Sequence, residues 1–205
     1  EFRRVLFRSS GFTYSKEVGE PNHAGNAGGR SIWFSWTPSG TGIATLTVTP
    51  ASTNITNLVA VYTGATVATT TLVVSNELVV DTLWTNTLTF PVVGGTTYMV
   101  AVDGYNNTPG NPRGADQYQF SLDWNVLTND AFATPYVLVG HAGSVTNSNA
   151  NATKEPGEPN HAGDVGGSSV WFSWTATASG PASFSVTNLT FGINSLAIYT
   201  GNSVS

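Results

Sequence analysis

The densest chemistry in the chain is the hexapeptide EPNHAG, written twice, at residues 20–25 and 158–163. Glu17, Glu20, Asn22 and His23 crowd around the first copy, and Glu155, Glu158, Asn160 and His161 around the second. Carboxylates and an amide at this spacing suit Ca²⁺, which takes about six to eight oxygen ligands. Glu17, Glu20 and Asn22, with Glu155, Glu158 and Asn160, are therefore the candidate calcium ligands, and backbone carbonyls or a distant Asp would have to complete each shell. The same residues also spell a rigid turn. Pro21 and Pro159 fix φ, the glycines reverse the chain, and Asn or His side chains bond nearby backbone. Zinc fits less well, because one His per copy falls short of its usual nitrogen and sulfur set. Glu–His pairing could also suggest hydrolysis, which needs a base, an orienter and a nucleophile or activated water together. Neither G-x-S-x-G nor H-E-x-x-H accompanies the pairs, and an enzyme usually needs one site rather than two tandem copies. The expectation is no catalysis.

Aromatic residues offer a second chemistry. In SIWFSWT, Ile32, Phe34 and Trp36 share one face of a strand and Trp33 lies on the other; Trp171 has the same opposite parity in SVWFSWT. An exposed indole there would stack on sugar rings, whereas an indole under the Glu-Pro loop would simply be packed. Asp103 and Tyr105 open a Gly-, Asn- and Pro-rich loop, residues 104–116, across which Asp103 and Asp116 could share a cation. A solvated loop of turn-forming residues is the plainer reading. Trp33, Trp171, Asp103 and Tyr105 are the candidate ligand-binding residues. Trp84 is another aromatic candidate but, like Tyr105, belongs only to the first half of the chain.

These residues sit in a larger repeat. SKEVGEPNHAGNAGGRSIWFSWT (15–37) and TKEPGEPNHAGDVGGSSVWFSWT (153–175) agree at 17 of 23 positions, with an offset of 138 residues. A period that long marks a repeated domain rather than a short solenoid unit. Between and after the copies run short β-type segments separated by turn chemistry. ATLTVT alternates Leu46 and Val48 against Thr45, Thr47 and Thr49, the pattern of a strand with one buried face. Gly94-Gly95, between NTLTFPV and TTYMVAV, reads as a hairpin turn. The fold class expected is all-β: tandem β-sandwich, jelly-roll-like domains, the second truncated.

The domain boundaries follow. Residues 1–9, EFRRVLFRS, carry three of the seven basic residues, look like nothing else in the chain and resemble a translated sequencing-library adapter, a non-native scar set apart from the fold. Residues 10–125 form the first repeat, without its opening strand. Residues 129–205 form the second, matching the first through NSLAIYTG but lacking counterparts of residues 70–124. Expressed alone, the second segment is expected to be unfolded or aggregation-prone.

Composition narrows the partners. A net charge of −5 and only 9% charged residues argue against nucleic acid, which calls for clustered Lys and Arg. No apolar run approaches the ~20 residues that span a bilayer. The absence of cysteine is compatible with export.

Taken together, KEPGEPNHAG, GGSSVWFSWT, LAVYTG-like segments and VVGGTTYMVAVDGY resemble a repeat of large secreted and surface proteins of environmental bacteria. That repeat is similar to the bacterial pre-peptidase C-terminal (PPC) domain, a non-catalytic β-sandwich. The resemblance covers residues 10–205. It implies an extracellular or cell-surface module that is structural or adhesive, with neighbouring repeats, extracellular polysaccharide or cell-surface components as partners. The alternative it leaves open is a carbohydrate-binding accessory module of a polysaccharide-degrading enzyme or a peptidase. Family members often carry an Asp-rich segment before LAVYTG. Here that segment reads TNITN (53–57) and TFGIN (190–194), with Asn in place of carboxylates.

Overall fold

A computed structural model of the chain describes residues 16–50, 57–77, 85–105, 120–189 and 192–204, and the backbone of residues 2–5. It divides into two compact units, Glu1–Val126 and Leu127–Ser205.

The first unit is an all-β sandwich. Its strands are β1 (Phe2–Val5), β2 (Ile32–Trp36), β3 (Gly42–Pro50), β4 (Asn57–Thr63), β5 (Thr71–Glu77), β6 (Asn86–Val92), β7 (Tyr98–Gly104) and β8 (Phe120–Leu127). One sheet runs β1-β2-β7-β4-β5 and the other β6-β3-β8. The period-two pattern places the core between them. Leu46 and Val48 of β3 and Leu88, Phe90 and Val92 of β6 face Trp36, Val59, Val61, Tyr98, Val100 and Val102 of the larger sheet. Their polar alternates, Thr45, Thr47, Thr87 and Thr89, lie on the outer face.

β7 is the central strand of the larger sheet. It pairs antiparallel with β2, Trp33 opposite Ala101, and with β4, Ala60 opposite Ala101. β1 comes from the segment that resembles an adapter and pairs with β2, Val5 opposite Trp33. An open sheet edge offers its N–H and C=O groups to any extended peptide, so this pairing does not depend on what the side chains are.

Gly94-Gly95 is a turn but not a hairpin. β6 pairs with β3 and β7 with β2 and β4, so the turn arches from one sheet to the other. Its reversal is pinned from outside, by Gly95 N–H to Pro38 O (2.9 Å) and Gly94 N–H to Thr41 Oγ1 (3.0 Å). A Cβ on Gly94 would meet the Gly40 backbone at 3.0 Å, so the turn lies tight against the β2–β3 connection.

In the second unit the described strands are β9 (Tyr136–Leu138) and β10 (Phe172–Trp174), paired parallel. The segments ASFSVT (182–187) and LAIYTG (196–201), counterparts of β3 and β4, form no strand. In the first unit β4 reaches β2 only through β7, and the second unit has no counterpart of β7 among its described residues. No helix among the described residues is long and apolar enough to cross a membrane.

Candidate functional site

The EPNHAG loop folds as two consecutive tight turns. In the first, Glu20 N–H bonds Glu17 O (3.1 Å) with Gly19 at φ +86°, a geometry in which the second central residue needs positive φ. In the second, Asn26 N–H bonds His23 O (2.9 Å), with both central residues, Ala24 (φ +49°) and Gly25 (φ +78°), in the left-handed region. An L-residue there carries a steric penalty, and Ala162 (φ +51°) repeats it in the second copy. The first turn ends on Glu20 and the second begins on His23, and both side chains end up beneath the loop.

There they meet the outer face of the larger sheet. Trp33 of β2 and Tyr62 of β4 cluster with Ala60 and Ala101, flanked by Val67 and Met99. His23 Nε2 lies 2.8 Å from Glu20 Oε1, and His23 Nδ1 lies 2.8 Å from the Tyr62 hydroxyl. Trp33 Nε1–H donates to the same Glu20 Oε1 (3.2 Å), and Glu17 N–H donates to Glu20 Oε2 (2.7 Å). The imidazole stands edge-on to the Trp33 ring, with centroids 5.2 Å apart. An ionised carboxylate only accepts, so a neutral His23 carries its proton on Nε2 and accepts from Tyr62 O–H at Nδ1. The hydrogen bonds thus run in one direction, Tyr62 to His23 to Glu20.

The electrostatics agree. Burial pushes the Glu20 carboxyl up, but hydrogen bonds from His23, Ser31 and the Glu17 amide, with His23 electrostatics, outweigh it and hold it below its ordinary 4.5. Burial and the Glu20 carboxylate push the Tyr62 phenol up to about 12.

The second copy builds the same arrangement. His161 Nε2 lies 2.7 Å from Glu158 Oε1 and Nδ1 lies 2.9 Å from the Tyr199 hydroxyl, while Glu155 N–H donates to Glu158 Oε2 (2.8 Å). Trp171 stands edge-on to His161, centroids 5.4 Å apart, but its buried Nε1 has no partner among the described residues. Burial pushes Glu158 up as well, and hydrogen bonds from Ser169, the Glu155 amide and His161 bring it below 4.5.

The candidate calcium ligands do not form an oxygen cage. Both Glu20 oxygens already accept from protein donors. Asn22 Oδ1 accepts from Lys16 Nζ (2.7 Å), which also donates to Ala27 O (2.9 Å). Lys154 Nζ repeats this on Asn160 Oδ1 (2.9 Å) and Val165 O. Glu155 Oε2 accepts from Phe132 N–H (2.7 Å), and Glu17 remains as a single carboxylate at the loop edge. Among the described residues no three His, Cys, Asp or Glu side chains converge on one point. The donor set does not fit Ca²⁺: a lysine ammonium ties the loop instead.

The candidate ligand-binding residues are not gathered on one exposed face. Trp33 is 4% exposed beneath the loop, and Asp103 is 1% exposed at the end of β7. Asp103 accepts from the backbone amides of Gly29 (2.8 Å), Arg30 (3.0 Å) and Gly104 (2.7 Å), clamping the glycine-rich end of the repeated loop to the sheet. Trp171 is half-buried against Phe132, and Tyr105 is half-buried just past β7. Trp84, Asp116 and residues 53–56 and 190–191 lie outside the described residues.

Tyr62, Tyr199, Lys16 and Lys154 complete the site and lie outside the candidate set drawn from the sequence. A signal for them exists: each is retained between the two copies, Lys in KE and Tyr in YTG. No protein-family model, no curated protein and no solved structure matches this chain.

Proposed function

We propose that the chain is a non-catalytic structural or adhesive repeat module of a large bacterial protein, secreted or held at the cell surface and related to the pre-peptidase C-terminal sandwich. The observation that carries this reading is the Glu–His–Tyr brace, built twice and flanked each time by a tryptophan ring edge-on to the histidine. In the first unit the side chains of Glu20 and His23 are fully enclosed, so the polar groups capable of chemistry are turned on one another. A general base must reach its substrate within hydrogen-bond distance, and an enclosed imidazole held by Glu20 and Tyr62 has no such approach. The loop's chemistry is spent on holding the loop to the sheet.

Neighbouring repeats, extracellular polysaccharide and cell-surface components are the partners this reading entails. The absence of cysteine is compatible with export, since a domain with its own core can do without disulfides.

Reading the native gene on both sides of this segment tests the proposal. Further copies of the repeat in series are expected. A lone copy beside a polysaccharide-degrading or peptidase domain would replace it with an accessory binding module, and glycan-array binding lost in Trp33→Ala would do the same.

A further inference from the structure

Two core-facing positions of the first unit are polar. Asn57 opens β4 in step with Val59 and Val61, and Asn86 opens β6 in step with Leu88, Phe90 and Val92. Period two therefore points both side chains between the sheets, and each residue is 1% exposed. Val48, opposite Asn86 on β3, is fully buried in the same core.

The two asparagines are joined directly. Asn86 Nδ2 donates to Asn57 O at 2.8 Å, from the smaller sheet to the larger. That bond fixes which end of the Asn86 amide is nitrogen. It leaves Asn86 Oδ1, Asn57 Oδ1 and Asn57 Nδ2 buried, with no hydrogen-bond partner among the described residues. Exchanging the two ends of the Asn57 amide changes nothing in this set, which holds one donor group and two acceptors either way. Buried polar atoms are rarely left unmet, because stripping them of water costs more than an ordinary hydrogen bond contributes.

The make-up of the set selects its ligand. A bare cation would meet the two oxygens, far short of the about six to eight that calcium takes, and leave the nitrogen stranded. An anion would meet the nitrogen and face two oxygens. Water does both jobs, with two O–H groups for the oxygens and a lone pair for the Asn57 N–H. Buried waters typically make about three hydrogen bonds to otherwise unmet polar groups.

We propose that Asn57 and Asn86 enclose a water molecule, which completes a polar pin between the two sheets where β4 and β6 begin. The water accepts from Asn57 Nδ2 and donates to Asn57 Oδ1 and Asn86 Oδ1. It adds a second link beside the bond from Asn86 to the Asn57 carbonyl. Apolar contacts are non-directional, so these directed bonds fix the offset of one sheet against the other where the rest of the core does not. This inference does not depend on the secreted-module reading, since it concerns only the interior of the first unit.

The test uses the isotope-labelled full chain, by water-to-amide nuclear Overhauser spectroscopy, and crystals of the same chain at high resolution. The Asn57 side-chain N–H should show a cross-peak to water with the sign of a molecule that tumbles with the protein, because escape from this site needs local opening. Electron density should place one oxygen within about 3 Å of both Asn57 Nδ2 and Asn86 Oδ1. Asn57→Leu removes two of the three partners and should lose the water, whereas Asn57→Ser keeps a donor and an acceptor and should retain it. Density ringed by oxygens at about 2.3–2.6 Å would be a cation and would overturn the proposal. So would amides bonded to protein groups instead, the lack of a slow water cross-peak in the unaltered chain, or a cross-peak that survives in Asn57→Leu.

Discussion

Glu20 Oε1 and His23 Nε2 lie 2.8 Å apart with neither side chain exposed, and the same pair recurs at 2.7 Å as Glu158 and His161 with the second histidine 19% exposed. Removing one partner of an enclosed pair leaves the other's polar group stranded, which costs more than the pair itself contributes. His23→Ala should therefore destabilise the first unit by about 3 kcal/mol. His161→Ala should cost clearly less, because water can replace part of what is lost. Urea unfolding, read by hydrogen exchange in each unit separately, measures both.

The pH dependence follows from the shifts. The Glu20 carboxyl is held below 4.5, so its contribution is complete above that value and fades as pH falls through the lower folded value. Glu17 moves the other way through burial and the nearby Glu20 charge, but it is mostly solvated and the effect is small. Tyr62, raised from 10 to about 12, has the reverse sense: its neutral form is favoured in the fold, so stability holds below pH 10 and falls as pH rises from 10 towards 12. Tyr62→Phe should lose about 1–3 kcal/mol at neutral pH, through the unsatisfied His23 Nδ1, and flatten the alkaline limb. Glu20→Gln should flatten the acid limb. Thermal melts across pH check both limbs.

Three glycines separate backbone strain from packing. A methyl group on Gly25 (φ +78°) would meet nothing within 4 Å, so Gly25→Ala should cost about 1 kcal/mol from the left-handed conformation alone. Gly28→Ala adds a collision with the buried Asp103 carboxylate and should cost at least twice as much. Gly166→Ala, with nearly the same φ as Gly28 but open space, should behave like Gly25→Ala. Chemical denaturation of the three variants ranks them.

Calcium should leave the melting temperature unchanged. Lys16 Nζ already occupies Asn22 Oδ1 and Ala27 O, and an incoming cation would have to expel it. A native-state ligand at a hundred times its Kd adds about 2.7 kcal/mol, a shift easily seen between Ca²⁺ and EGTA. Such a shift would show that the loop is a metal site after all.

Much of the fold was legible because period two is a strong signal wherever one face is buried: Leu46 and Val48 point inward and Thr45 and Thr47 outward as their alternation implies. Gly94-Gly95 misled because glycine dictates a reversal and says nothing about which sheet the chain enters next. The parity of Trp33 placed it off the core face, but whether solvent or the loop lay there depended on contacts 29 residues away at Tyr62. The EPNHAG loop read either as a calcium site that includes Glu20 or, more plainly, as a turn in which His23 bonds nearby backbone. Only the third partner decided between them, and it lies on β4, beyond local spacing. In the second unit Phe184 and Val186 match the first in sequence and not in burial, because a strand's inward face needs a covering partner that its own sequence does not contain.

The most direct measurement is a double-mutant cycle on Glu20→Gln and His23→Gln in the full chain, read from the exchange of β2 and β7 amides so that only the first unit reports. Residues in one hydrogen-bond network couple by about 0.5–3 kcal/mol. If the loop is an internal brace, the double variant should lose at least about 1 kcal/mol less than the sum of the single losses. Strict additivity would mean that the two side chains do not act through each other, and would contradict the brace as the reason this loop is written twice.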